Sequence, residues 1–177
     1  MYILAISGSL RTGASNTTVL QAAALLAPPG VTITLYDGLG ALPHFNPDLD
    51  SQDGDQLPAI VADLREQIGR ADGVLISCPE YAHGIPGSFK NLLDWLVGST
   101  EFPGKPVALL NTSPMSVHAP AQLAEILTTM NARLIREASV TVQPRSRGSS
   151  AGDIATDPEV SVTLRNAIVA LIDAAHE

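Results

Sequence analysis

The sequence predicts an α/β fold, a doubly wound parallel sheet with helices on both faces. Three observations carry this expectation. Short apolar runs alternate with longer stretches of helical spacing along the 177 residues, the pattern of repeated βα units. The runs are nearly continuous in apolar residues rather than alternating, as strands buried on both faces require. The chain is also 45% hydrophobic, enough for a sizeable core and too much for disorder.

Strands are expected at Tyr2–Ile6, Val31–Leu35, Gly73–Cys78, Pro106–Leu110 and Ser139–Val142. Each is short, apolar and bounded by turn residues. Helices are expected at Thr17–Leu26, Leu57–Arg70, Gly87–Val97, Ala119–Leu134 and Glu159–Ala175. With no internal repeat or interdomain linker, residues 1–177 read as one domain. Two long loops interrupt the rhythm. Residues 37–56 carry Gly, Pro, Asp and Asn, as a subunit contact or a rim over a site would. Residues 144–158 are rich in Ser, Gly and Arg and read as a disordered surface loop.

Composition excludes several classes. The net charge of −8 argues against nucleic-acid binding, which needs a basic face. No apolar run approaches the ~20 residues of a membrane span. No signal peptide is expected from the first residues. The single cysteine, Cys78, excludes an intramolecular disulfide and suits a reducing cytoplasm. It ends an apolar strand, where a small buried thiol is the default. The four histidines and one cysteine show no metal-ligand spacing, so no metal is assigned.

In a sheet of this kind ligands bind beyond the carboxyl ends of the strands. The loop after strand one reads Ser7-Gly8-Ser9-Leu10-Arg11-Thr12-Gly13-Ala14-Ser15-Asn16. Small residues, hydroxyls and one arginine ahead of a helix suit an anion, because backbone N–H groups and the helix dipole converge there. Two named phosphate motifs fail on this loop. No Lys-Ser/Thr follows Gly13, and Gly8 and Gly13 do not supply G-x-G-x-x-G. The competing reading is an ordinary strand-to-helix turn with Ser15 or Asn16 as N-cap.

The loop after strand three reads Cys78-Pro79-Glu80-Tyr81-Ala82-His83-Gly84-Ile85-Pro86-Gly87. Its prolines and glycines define a rigid, sharply shaped backbone, with Tyr81 placed to pack against a planar ring. After strand four, Ser113 to Ala119 forms the third loop at this end. His83 and His118 lie in these loops, where exposed histidines without a ligand are common. Asp37 reads as a turn residue, because no glycine fingerprint precedes it.

The segments Gly8-Ser9-x-Arg11-x-x-x-Ser15-Asn16 and Pro79-Glu80-Tyr81-x-x-Gly84-x-Pro86-Gly87-x-x-Lys90-Asn91-x-x-Asp94-Trp95 together resemble the NADPH-dependent FMN reductase family. This group includes flavodoxin-like quinone, azo-dye and chromate reductases. The resemblance implies a flavodoxin-like five-stranded parallel sheet in the order 2-1-3-4-5. It implies that Ser9, Leu10, Arg11, Ser15, Asn16 and Thr17 hold the FMN phosphate. Pro79, Glu80, Tyr81, Ala82, His83 and Gly84 would run along the isoalloxazine, with Ser113 touching the flavin from the other side. Lys90, Asn91, Asp94 and Trp95 would fix the loop and support a dimer interface. Glu80 reads as a carboxylate bracing its own loop or a partner subunit.

The implied activity is hydride transfer from NADPH or NADH to flavin N5, followed by electron transfer to a quinone-like or other small acceptor in ping-pong order. FMN carries that chemistry, so no catalytic side chain is assigned. A homodimer or homotetramer in the cytoplasm is implied as well. Two departures stand out. Many family members have Asn where this chain has Ala82, and the 113–119 loop lacks the usual pair of glycines. Two alternatives stay open: a flavodoxin-type FMN electron carrier, and a non-catalytic module of the same fold.

Overall fold

The computed structural model describes residues 1–50, 56–144, 146 and 148–177. Five residues of the 37–56 loop, with Arg145 and Arg147 of the second loop, therefore lie outside the described residues. Six strands are described: β1 (Tyr2–Ser7), β2 (Thr32–Leu35), β3 (Gly73–Ser77), β4 (Pro106–Asn111), β5 (Arg133–Leu134) and β6 (Val140–Thr141). They form a parallel sheet in the order β2-β1-β3-β4-β5, and β6 pairs with the end of β4. The expected order is borne out.

Six helices surround the sheet: α1 (Ser15–Leu25), α2 (Ala59–Arg70), α3 (Gly87–Val97), α4 (His118–Thr129), α5 (Ala151–Thr156) and α6 (Pro158–Ala175). Alternate residues of β1 explain the two layers. Ile3 and Ala5 join the core under α1 and α6, and Leu4 and Ile6 join the one under α2, α3 and α4. Side chains of a strand alternate faces, so one continuous apolar run feeds both cores.

The structure differs from the sequence expectation in two places. The helix expected to run to Leu134 ends at Thr129, because Asn131 turns left-handed (φ 58°) and returns the chain to the sheet as β5. Asn tolerates that conformation better than most residues. The segment 144–158 is not simply a surface loop, since it contains α5. The Ser150 hydroxyl accepts the Asp153 N–H, and Asp153 accepts the Ser150 N–H in return. That reciprocal cap starts the helix, and Ile154 is buried against the α1–α6 core.

The described part of the 37–56 loop is anchored to helices rather than free. Pro43 carbonyl oxygen accepts from Asn91 Nδ2 (2.9 Å) and Trp95 Nε1 (2.8 Å), and Asn91 Oδ1 accepts the Phe45 N–H (2.7 Å). Arg65 donates to both oxygens of Asp50 and to the Trp95 carbonyl. Trp95 is fully buried and meets Phe45 edge to face at 5.0 Å. Asn91 and Trp95 thus fix a loop, but it is the one after β2.

Candidate functional site

Three loops meet beyond the carboxyl ends of β1, β3 and β4. The first connects β1 to α1. Its Gly8 N–H donates to the Ser77 carbonyl (2.8 Å), which lays the loop against β3. A Cβ on Gly8 would sit 2.7 Å from Cys78 Sγ and 3.2 Å from Cys78 Cα, so only glycine permits the approach. Gly13 takes a positive φ of 67°, which turns the chain into α1 at little steric cost.

Helix α1 begins at Ser15 with Ala14 at the N-cap, and no side chain caps it. The Ser15 and Asn16 caps of the ordinary-turn reading are absent. The N–H groups of its first turn have no acceptor within the helix and add to the positive end of the dipole. No acidic side chain lies in that turn. Around it, Thr17 Oγ1 pairs with Ser7 Oγ at 2.8 Å, and the Ser9 hydroxyl accepts the Arg11 N–H at 3.3 Å. Leu10 and Arg11 are exposed, and Ser9, Ser15 and Thr17 are half-buried. A cleft of about 470 Å³ is walled by Ser7, Ser9, Arg11 and Thr17 and by Tyr36 and Leu39 beyond β2. An uncapped helix end ringed by hydroxyls and one cation fits a phosphate group.

Asn16 is placed differently from its neighbours. It is buried, and its Nδ2 donates to Ser77 Oγ (2.9 Å), which donates to the Leu110 carbonyl (2.7 Å). This chain of bonds ties α1 to β3 and β4 directly beneath the loop.

The second loop, residues 79–84, closes on itself. Tyr81 and Gly84 exchange backbone hydrogen bonds of 2.9 and 3.0 Å, with Ala82 (φ 49°) and His83 (φ 60°) at the tip. Two consecutive left-handed residues make a tight turn that glycine and asparagine favour and alanine does not. Tyr81, Ala82 and His83 are exposed, while Pro79, Glu80 and Gly84 are half-buried.

The third loop carries Ser113, and Asn111 at the end of β4 shapes it. Asn111 Nδ2 donates to the Ser113 carbonyl (2.7 Å) and the Ser116 carbonyl (3.2 Å), and Ser113 Oγ accepts the Met115 N–H. Side-chain bonding of this kind fixes a turn that has no glycine.

Two contacts brace the second and third loops together. Glu80 Oε2 accepts the N–H groups of His118 (2.8 Å) and Ala119 (3.0 Å), capping α4 from another element. The Ala119 N–H does most to hold the Glu80 carboxyl below its usual range, opposed by burial and helped by the His118 N–H and the two neighbouring imidazoles. Gln122 Oε1 on α4 accepts the Ile85 N–H (2.8 Å). The imidazoles of His83 and His118 stack above this brace, centroids 4.2 Å and planes 21° apart. Cys78, buried at the root of the loop, has its thiol pushed up to about 12 by desolvation, so it stays protonated and unreactive.

Sequence reasoning missed Ser7, Ser77, Asn111 and Gln122 as supports. Ser7 and Ser77 end strands, where a hydroxyl signals nothing without knowledge of its neighbour. Asn111 alone carried a signal, as an Asx residue two positions before Ser113.

Comparison with known proteins agrees with this geometry. A family model described as NADPH-dependent FMN reductase matches residues 1–145. A quinone reductase of Escherichia coli (strain K12) is 34% identical over 143 residues, 77% of this chain and 74% of that protein. An NAD(P)H-dependent FMN reductase of Pseudomonas aeruginosa is 42% identical over 113 residues, 63% of this chain and 59% of that protein. Among solved structures, FerB, a flavoenzyme NAD(P)H:(acceptor) oxidoreductase from Paracoccus denitrificans, matches with a TM-score of 0.85 at 28% identity, covering 99% of this chain and 97% of that one. The chain belongs to the NADPH-dependent FMN reductase family.

Proposed function

We propose that Ser9, Leu10, Arg11, Ser15, Asn16 and Thr17 hold the phosphate of FMN, and that residues 79–84 with Ser113 border its ring. The protein is a flavin-dependent NAD(P)H oxidoreductase, the activity of its family. FMN, when bound, supplies the redox chemistry, which needs no acid or base from the protein. The chain's residues position and shield. Backbone N–H groups at the α1 terminus and the Arg11 guanidinium would neutralise the phosphate. Hydroxyls of Ser9, Ser15 and Thr17 would orient it. Apart from the Tyr81 N–H, which the Gly84 carbonyl accepts, the backbone of residues 80–82 offers donors along the lip, and the Glu80–α4 bonds hold that lip at one height.

The observation that carries this reading is the uncapped α1 terminus ringed by Thr17, Ser9 and Arg11. No acidic side chain lies in the first turn of α1, and Asp37 stands on the wall of the cleft beyond β2. The acceptor is a small molecule of quinone type, which the open, exposed lip accommodates. A homodimer or homotetramer is part of the proposal. Its support is the set of exposed apolar side chains on these loops: Leu10 (61% exposed), Tyr81 (55%), Met115 (83%) and Val117 (60%). The reading keeps the protein in the cytoplasm, where its buried Cys78 needs no partner. No helix among the described residues is long and apolar enough to cross a membrane.

The test is to load the purified protein with FMN, desalt it and add NADPH or NADH without oxygen. A retained yellow band that bleaches within the mixing experiment supports the reductase reading and ranks the two nucleotides. A retained band that stays oxidised favours the electron-carrier alternative, and loss of the band on desalting overturns the phosphate assignment.

A further inference from the structure

We infer that Glu80, His83 and His118 form a binding site for a single borderline transition-metal ion, of which Zn²⁺ is the representative probe. Each residue offers one ligand atom, and the three atoms lie within 4.8 Å of one another. Two ligands on one tetrahedral Zn²⁺ stand about 3.3 Å apart, given Zn–N and Zn–O bonds near ~2.0–2.2 Å. The atoms must therefore close by at most about 1.5 Å, a movement on the scale of a side-chain rotation in two exposed imidazoles. Both histidines are exposed, and the two rings stack on each other.

Three features of the arrangement favour a cation over an accidental cluster. Glu80 is prepared as a ligand, because two backbone donors hold Oε2 and leave Oε1 outside the brace. Hydrogen-bonded carboxylates of this kind are the usual outer support of a metal site. The two imidazoles already stand beside one another, with ring centroids 4.2 Å apart. Finally, two imidazoles and one carboxylate suit Zn²⁺, Ni²⁺ or Cu²⁺ better than Mg²⁺ or Ca²⁺, which seek oxygen ligands. Three protein ligands on an exposed rim leave a coordination position for water.

The metal would bridge the loop after β3 and the first turn of α4. Both border the proposed flavin ring, but ion binding requires no flavin, so the test separates the two readings. Tag-free, FMN-free protein is titrated with Zn²⁺ by calorimetry at neutral pH. One ion per chain is expected. Glu80→Gln, His83→Asn and His118→Gln are each expected to weaken binding by about 100-fold or more, since even outer-shell losses cost roughly 10–100-fold. His83→Asn keeps a residue that tolerates the left-handed turn, and His118→Gln leaves its backbone N–H on Glu80. The double variant His44→Gln/His176→Gln, which removes the remaining imidazoles, should bind as the parent does. Circular dichroism checks that each variant is folded. Absence of binding, or binding that survives His83→Asn and His118→Gln but not the double variant, overturns the site.

Discussion

The β1–α1 loop, proposed to hold a phosphate, and the lip formed by residues 79–84 sit at the same end of the sheet, yet they are built in opposite ways. The loop from Gly8 to Thr17 is contiguous. Its donors are the first turn of one helix, and its hydroxyls lie within ten residues of Ser7 (the Ser7–Thr17 pair). The lip is assembled from distant pieces. Glu80 reaches α4 across 38 and 39 residues, and Ile85 meets Gln122 across 37. A contiguous cradle fails by losing ligand affinity while the fold persists. A lip held by tertiary bonds fails by changing shape, with stability following.

Arg11→Ala tests the first half of that contrast and carries the largest expected effect. Arg11 is exposed and holds no described side-chain partner, so the fold loses little. Losing a charge-assisted phosphate contact costs about 1.5–3 kcal/mol, which lowers FMN affinity about 10- to 150-fold. Fluorescence quenching of FMN measures this directly, with thermal denaturation as the control. A drop in melting temperature with unchanged FMN affinity would place Arg11 in the scaffold instead.

Gly8→Ala probes the seam where the two regions touch. The added methyl would stand 2.7 Å from Cys78 Sγ, and overpacking of this kind costs about 1–3 kcal/mol. Both stability and FMN retention are expected to fall. Adding Cys78→Ala removes the sulfur but leaves Cys78 Cα and Cβ at 3.2 Å, so the double variant recovers only part of the loss. Urea denaturation of the single and double variants reads this coupling, and simple additivity would show that the seam is not strained.

Ala82→Asn acts on the lip alone and in the stabilising direction. Ala82 occupies a left-handed conformation (φ 49°) that asparagine adopts at lower cost. A gain of about 0.5–1 kcal/mol is expected. An unchanged or lowered denaturation midpoint would mean that the turn is held by Tyr81 and Gly84 without strain at its tip.

The same contrast explains what the sequence revealed. The alternation of strands and helices, the β1–α1 turn and the shape of the 79–87 loop were readable because each rests on neighbouring residues, whereas the strand order followed from the family resemblance. The end of α4 was not, since Ala132 to Leu134 suits a helix and only pairing with β4 draws Arg133–Leu134 into the sheet. Helix α5 hid in a Ser- and Gly-rich stretch whose Ser150-x-x-Asp153 spacing was its one sign. Within the proposed site, Arg11, Ser15 and Thr17 fall in one sequence window. The partnership of Glu80 with α4, of Ile85 with Gln122 and of His83 with His118 was not, because no local pattern joins residues so far apart.

Glu80→Gln, measured without metal, carries the smallest effect and isolates the charge of the brace, because Gln Oε1 still accepts the His118 and Ala119 N–H groups. The folded carboxyl sits below its usual range, so the unfolded chain binds the proton more readily than the native one. Stability from the charge is then fully present above the ordinary carboxylate range and is lost as pH falls through the lowered native value. At neutral pH the parent should unfold at a higher temperature than the variant. As the pH falls through that lowered native value, protonated Glu80 becomes as neutral as glutamine and the two curves should meet. Paired melting curves across that window decide the matter. A gap that stays constant with pH would mean that Glu80 braces α4 by shape alone, leaving the lip as indifferent to charge as the Gln122–Ile85 bond beside it.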